Sequence, residues 1–375
     1  LIITKGNKMT KITKILVVVA SSLLMSVASI AGELSVTGSA KASYSIVSSD
    51  SSASQTNIGK GLGVTNEFSL GASGENDFGT WTYKQDIDGA TVQDDGQLTL
   101  KTSYGTFGVF ISEGGLDTDN TASQSVLSRP SDTSYNEGMF DSFDLSGANT
   151  MQYHMPADLL PYGIVGKIAL APSSGSAGSV NDYKAAGAAN AGTFTASSAA
   201  FNTTAAPFAQ TSAMGRSAVH YQVTAAPMDG LALGADYVEF KDVNGATAQE
   251  PESGSIYATY AFGPTSVGVS RSYTSFAIAQ GAIPTADLIE SVENTKYSIA
   301  FNVNDDLSIS YENEESNPDN MTAVTENYTL EAEGIQAAYT VGGMTLALAM
   351  NEYSNSQYTQ NLDIKNTVFS VAMDF

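Results

Sequence analysis

Seven carboxylates fall within residues 112–148: Glu113, Asp117, Asp119, Asp132, Glu137, Asp141 and Asp144, against a single base, Arg129. Six bases elsewhere (Lys41, Lys84, Lys101, Lys167, Arg216 and Lys296) share the phase of the small polar residues in their segments, not that of the apolar ones. Opposed groups of charge can orient a polar solute and bias the passage of ions. The plainer reading is that the acids only keep a long loop solvated. Asp117-Thr118-Asp119-Asn120 offers oxygen ligands suited to Ca²⁺, but the rest of an EF-hand pattern is missing, so no metal site is predicted. Covalent chemistry has little to work with. There is no cysteine, the two histidines, His154 and His220, lie in alternating segments, and no nucleophile-elbow, P-loop or zinc-ligand spacing occurs. A hydrolase needing one histidine stays formally open. The expectation is no enzyme and no cofactor, with His154 a polar residue on the face that carries the bases.

The segments that carry these groups are strands. Leu34, Val36, Gly38, Ala40, Ala42, Tyr44 and Ile46 alternate with Glu33, Ser35, Thr37, Ser39, Lys41, Ser43 and Ser45. That is the period of two expected of a strand with one apolar face. The pattern recurs to the end, where Phe369, Val371, Met373 and Phe375 share a face opposite Asn366, Ser370, Ala372 and Asp374. One segment changes phase: Tyr328 and Leu330 disagree with Ile335, Ala337, Tyr339 and Val341, which predicts a β-bulge at Glu333-Gly334. The count is sixteen strands.

Connections alternate in length. Short turns fall at Gly74, Tyr104, Pro156, Pro227, Pro264, Asp305 and Gly342. Longer polar loops fall at 48–60, 88–96, 112–148, 171–215, 241–253, 274–294, 315–324 and 354–361. A soluble sandwich has no reason to sort its loops in this way, whereas a transmembrane barrel does. Aromatics gather at both ends of the apolar face: Trp81, Phe107, Tyr162, Phe262 and Phe301 by the short turns, and Tyr44, Tyr237, Tyr273, Tyr311 and Tyr353 by the loops. Such belts mark membrane interfaces. Charged residues are 15%, against roughly 25% in soluble proteins, yet mean hydropathy is only −0.06. Small polar residues fill the gap, as a barrel with lipid outside and water inside requires. The expected fold is therefore all-β, a transmembrane sixteen-stranded antiparallel barrel with short periplasmic turns and long extracellular loops.

Residues 1–31 read as a few upstream residues and a cleavable signal peptide. The start is at Met9, Lys11 and Lys14 precede the apolar stretch Ile15–Ala28, and cleavage follows Ala31. Residues 32–375 then form one barrel domain. Without Lys5, Lys8, Lys11 and Lys14 the chain keeps 12 of its 16 basic side chains against 39 acidic, a net charge of −27. That excess argues against nucleic acid and favours cations.

Four local features resemble the general diffusion porins of Gram-negative bacteria: Val36-Thr37-Gly38 with Tyr44, Glu75-Asn76-Asp77-Phe78-Gly79, Tyr104-Gly105-Thr106-Phe107-Gly108, and Asn149 to Pro156. Two places depart from that pattern, Ile111-Ser112 where the family has Gly-Arg, and Asp158 to Gly163 where it has a Gly-rich turn. The resemblance implies an outer-membrane, trimeric, passive channel for ions and small hydrophilic solutes, assembled by the outer-membrane insertion machinery. It implies that 112–148 is the constriction loop, whose acids face the six bases across the pore. The acidic balance adds an expected preference for cations. The loop 171–215 reads as a low-complexity external loop, and Phe369, Val371, Met373 and Phe375 as the strand that closes the barrel and signals assembly. Two alternatives stay open: a substrate-specific channel, and a non-conducting structural or adhesive surface barrel.

Overall fold

The computed structural model describes residues 33–374 apart from 52–53, 89–94, 112–113, 134–138, 144, 146–147, 173–193, 196–212, 216, 242–246, 277, 280–288 and 321–327. Sixteen antiparallel strands close a single barrel. They are β1 (Glu33–Ser51), β2 (Ser54–Asn76), β3 (Gly79–Asp88), β4 (Gly96–Thr102), β5 (Gly105–Ile111), β6 (Thr150–His154), β7 (Val165–Ala171) and β8 (Ser217–Met228). The second half is β9 (Leu231–Lys241), β10 (Glu252–Phe262), β11 (Thr265–Ser275), β12 (Ile289–Asn302), β13 (Leu307–Asn320), β14 (Leu330–Val341), β15 (Met344–Ser354) and β16 (Asp363–Asp374). Each strand pairs with the next, and β16 returns to β1 from Ser39↔Asp374 to Asp50↔Asp363. Closure gives every strand two partners, so no edge is left to pair with another chain.

The period-two pattern sets what faces where. Outward positions are large, apolar and exposed, among them Val36, Leu98, Val223, Ile256, Ile335 and Phe369. Inward positions are Ser, Thr, Asn, Gln and charged residues, many of them buried. A soluble barrel would do the opposite, because water would then meet the polar face. No helix among the described residues is long and apolar enough to cross a membrane, a fact that says nothing about crossing by strands.

Inside the barrel, near the long connections, lies an apolar cluster. Met139, Phe140 and Leu145 of the connection between β5 and β6 pack on Val238, Phe240, Ile289, Leu330 and Tyr353 of the wall. Phe143 sets its ring edge-on to Phe240 and Phe276, at 5.9 and 5.6 Å between centroids. Around this cluster even inward positions are apolar, and that corrects two expectations. No bulge interrupts β14: its register to β13 and β15 is unbroken, with Leu330 inward and Ile335 outward. The change of phase marks a strand crossing from packed interior to lipid-facing exterior. Tyr353 likewise leaves the aromatic belt for the interior, 1% exposed, where its hydroxyl donates to the Pro130 carbonyl.

Two loops are shorter than expected. β1 and β2 stay paired out to Ser51↔Ser54, so most of 48–60 is hairpin. β13 runs on to Asn320, through much of 315–324. Both stretches are polar on both faces and so lack the alternation that betrays a strand, while the ladder of backbone hydrogen bonds needs none. Residues 1–31, most of 171–215, Glu113, Glu137, Asp144, Arg216 and Phe375 lie outside the described residues.

Candidate functional site

The described residues of the connection from β5 to β6, here the inner loop, are bonded to the inner wall from β9 to β15. A buried loop must find partners for its backbone groups. Here the wall supplies them residue by residue. The amides of Gln124 and Val126 donate to the hydroxyls of Ser298 and Ser310, each at 3.0 Å. Leu127 donates to Gln336 at 2.9 Å, Ser131 to Glu314 at 3.0 Å and Phe143 to Ser253 at 2.9 Å. In the other direction, Ser270, Ser298 and Ser316 donate to the carbonyls of Asp119, Ala122 and Met139, at 2.7, 2.7 and 2.8 Å. Serine is well suited to such contacts, because its hydroxyl donates or accepts and its short side chain lets the loop approach closely. Where the approach is closest the wall has glycine. A Cβ on Gly268 would overlap the Ala122 carbonyl, and one on Gly334 would meet Pro130 and Asn351.

Charge pins the middle of the loop. The Lys296 ammonium donates to Asn120 Oδ1 at 2.6 Å and lies 3.3 Å from both Asp119 Oδ2 and Asp141 Oδ1. Arg129 joins from the loop side, donating at 2.6 Å to both Asp132 Oδ1 and Asp141 Oδ1. Its Nη1 lies 3.7 Å from the buried carboxylate of Glu314. Glu312 completes the group, accepting the hydroxyl of Ser125 at 2.6 Å and that of Ser123. Burial alone would raise the Asp141 carboxyl, but Lys296 and Arg129 outweigh it and hold it down at about 2. Asp119 goes the other way, because its burial exceeds the pull of Lys296 and raises it. Burial also opposes the charge on Arg129, yet Asp141, Glu314 and Asp132 keep its guanidinium more firmly protonated than usual. Asp119, Asp132, Asp141, Glu312 and Glu314 thus share two cations, an arrangement stable only while both cations stay in place.

The start of the loop has its own anchor. Asp236 on β9 accepts the amide and hydroxyl of Thr118 at 2.8 and 2.7 Å, and the hydroxyl of Ser255. Its second oxygen lies 3.1 Å from Nε2 of the fully buried His220. Asp236 thus holds the start of the loop from a position fixed beside His220.

The expected groups are therefore sorted into two sets. Asp119, Asp132, Asp141, Arg129 and Lys296 come together, with Lys296 2% exposed beneath the loop. Lys41, Lys84, Lys101 and Lys167 stand on the wall from β1 to β7, with Lys101 exposed and the other three half-buried. Lys84 pairs with Asp86 on its own strand at 2.6 Å, and Lys167 is in register with His154 and Gln222. His154 is inward and half-buried, hydrogen-bonded to Gln152 at 2.8 Å. Asp117 is half-buried at the start of the loop. Glu312, Glu314, Gln336 and Asp236 were not expected as part of the site. Two glutamates on the inward phase of β13, where serine is the rule, were the signal available.

No protein-family model matches the chain, and no curated protein sequence matches it. Solved structures do. OmpF of Salmonella typhi, in complex with daunomycin, superimposes with a TM-score of 0.57 at 13% identity, over 92% of this chain and 98% of that one. A triple mutant of Rhodopseudomonas blastica porin gives 0.52 at 14% identity, over 92% and 100%. At such identities the likeness is one of architecture, and it spans nearly the whole of both chains: this polypeptide has the porin fold.

Proposed function

We propose that the chain is an outer-membrane porin, a passive water-filled channel for ions and small hydrophilic solutes that prefers cations. One observation carries the reading. The inner loop covers the wall from β9 to β15, while the inward lysines of β1 to β7 keep accessible side chains. A passage between loop and lysines would be lined by charge, and an apolar solute would have to strip oriented water to enter it. The exposed apolar exterior supports a setting in lipid, with the long connections outward and the short turns in the periplasm. The acidic excess supports cation preference, and the wall lysines oppose it locally. The other expectations belong to the same reading: export by the signal peptide, homotrimers, and insertion by the outer-membrane assembly machinery.

Reconstituted in a planar bilayer, the purified protein is expected to give large ohmic steps, with a reversal potential in a salt gradient displaced toward that of the cation. Blocking by one particular solute would replace this reading with a substrate-specific channel, and absence of conductance in a folded sample would remove both. Assembly makes a separate prediction. Deleting Phe375 is expected to reduce the amount of folded protein in the membrane far more than the conductance of each inserted channel. Immunoblotting of membrane fractions against single-channel recording checks it, and wild-type membrane levels would refute the terminal residue's role.

A further inference from the structure

On the outer face, Phe301, Ile309, Ala337 and Leu348 stand in register across β12 to β15. Next toward the long connections come Ile299, Tyr311, Ile335 and Met350. Ala337 is the one small side chain among these, and around it lies an apolar groove of about 420 Å³. The row beyond changes character abruptly. Glu333 and Glu352 are paired in register, both exposed, with exposed Glu331 and half-buried Glu315 just beyond them. Lys365 offsets part of this charge through Glu352, at 2.7 Å, and the Tyr311 hydroxyl donates to Glu333 at 3.1 Å, joining the two zones. Four carboxylates thus meet one ammonium at the head of a groove with an apolar lining.

We infer that this face holds one lipid molecule, its acyl chain in the groove over Ala337 and a primary-amine headgroup against Glu333 and Glu352. The inference rests on the channel reading only in taking the barrel to stand in a bilayer with its long connections outward. A smooth apolar wall would take any acyl chain alike. A gap the width of one small residue retains a single chain, and the carboxylates then select the headgroup: a protonated amine gains attraction, and an anionic headgroup meets like charge.

Native mass spectrometry of the full chain in detergent, with equal phosphatidylethanolamine and phosphatidylglycerol of matched chains and a chelator present, tests this. Phosphatidylethanolamine is expected to be retained over phosphatidylglycerol by about two- to fivefold, the ratio one exposed ion pair yields. Ala337→Trp fills the groove and is expected to abolish retention of both lipids, whereas Glu333→Gln with Glu352→Gln should retain both equally. Equal retention by the unsubstituted protein, unchanged retention by Ala337→Trp, or an oligomer that dissociates in Ala337→Trp would overturn the proposal, the last because the groove would then be a subunit contact. Preference for phosphatidylglycerol that appears with calcium would also overturn it, by making the carboxylates a cation site. Conductance recorded on the same preparations keeps the two readings apart, since it tests the channel and lipid retention tests the groove.

Discussion

Gly268→Val is expected to lower single-channel conductance and exclude larger solutes, while the barrel stays folded. Gly268 faces inward on β11, directly beneath the Ala122 carbonyl of the inner loop, and Ser298 donates to that same carbonyl at 2.7 Å. A valine there cannot share the space. Overpacking of this kind costs about 1–3 kcal/mol where neighbours must yield, and here the yielding parts differ greatly in stiffness. The wall is a closed ladder with two partners for each strand. The loop is held at this point by single hydrogen bonds worth about 0.5–1.5 kcal/mol each. The loop should therefore move and the wall should not. Displacement away from β11 takes the loop off its Ser270, Ser298 and Ser310 contacts and frees it into the lumen. Single-channel recording with polyethylene glycols of increasing size reads the effect, and a heat-dependent shift on a denaturing gel confirms that the barrel is intact. Wild-type conductance and wild-type polymer cut-off in a folded sample would mean that the loop does not set the width of the passage.

How much of this was legible beforehand follows from one physical distinction. Alternation is a property of a surface between two unlike media, so strands between lipid and water announced themselves: Leu34 to Ile46 and Phe369 to Met373 are where the pattern placed them. Where the medium changes along a strand, the pattern misleads. Leu330 and Tyr353 are inward because the interior at that height is a packed core, and nothing within their own strands says so. The site divides in the same way. The inward phase of Lys296 could be read locally, but its burial beneath Asp119 and Asn120 depends on a loop about 175 residues earlier in the chain. The serines of β11 to β13 looked like generic lumen residues. Their role as partners for loop amides needs the path of the loop, which no spacing within a strand records.

Lys296→Met is the substitution expected to disturb the loop most. It removes one of two cations that five carboxylates share, and leaves Asp119, 1% exposed, facing Asp141 with Arg129 alone to offset them. Breaking a buried pair by removing one partner costs about 3–5 kcal/mol. The barrel does not depend on this pair, so the cost falls on the attachment of the loop, which can recover it by carrying Asp119 and Asp141 into water. Two consequences follow together: conductance steps lose their steadiness, because the loop no longer has a single position, and cation preference rises, because two carboxylates that were neutralised against the wall now face the passage. The second variant decides whether charge is the cause. Lys296→Met combined with Asp119→Asn removes a cation and an anion at once, and replacing both members of a buried pair is far less costly than removing one. Steady steps should return, with a reversal potential close to that of the unsubstituted protein. If the double variant flickers as the single one does, the lysine acts by packing its long side chain under Asn120, and the charge balance beneath the loop has no part in holding it.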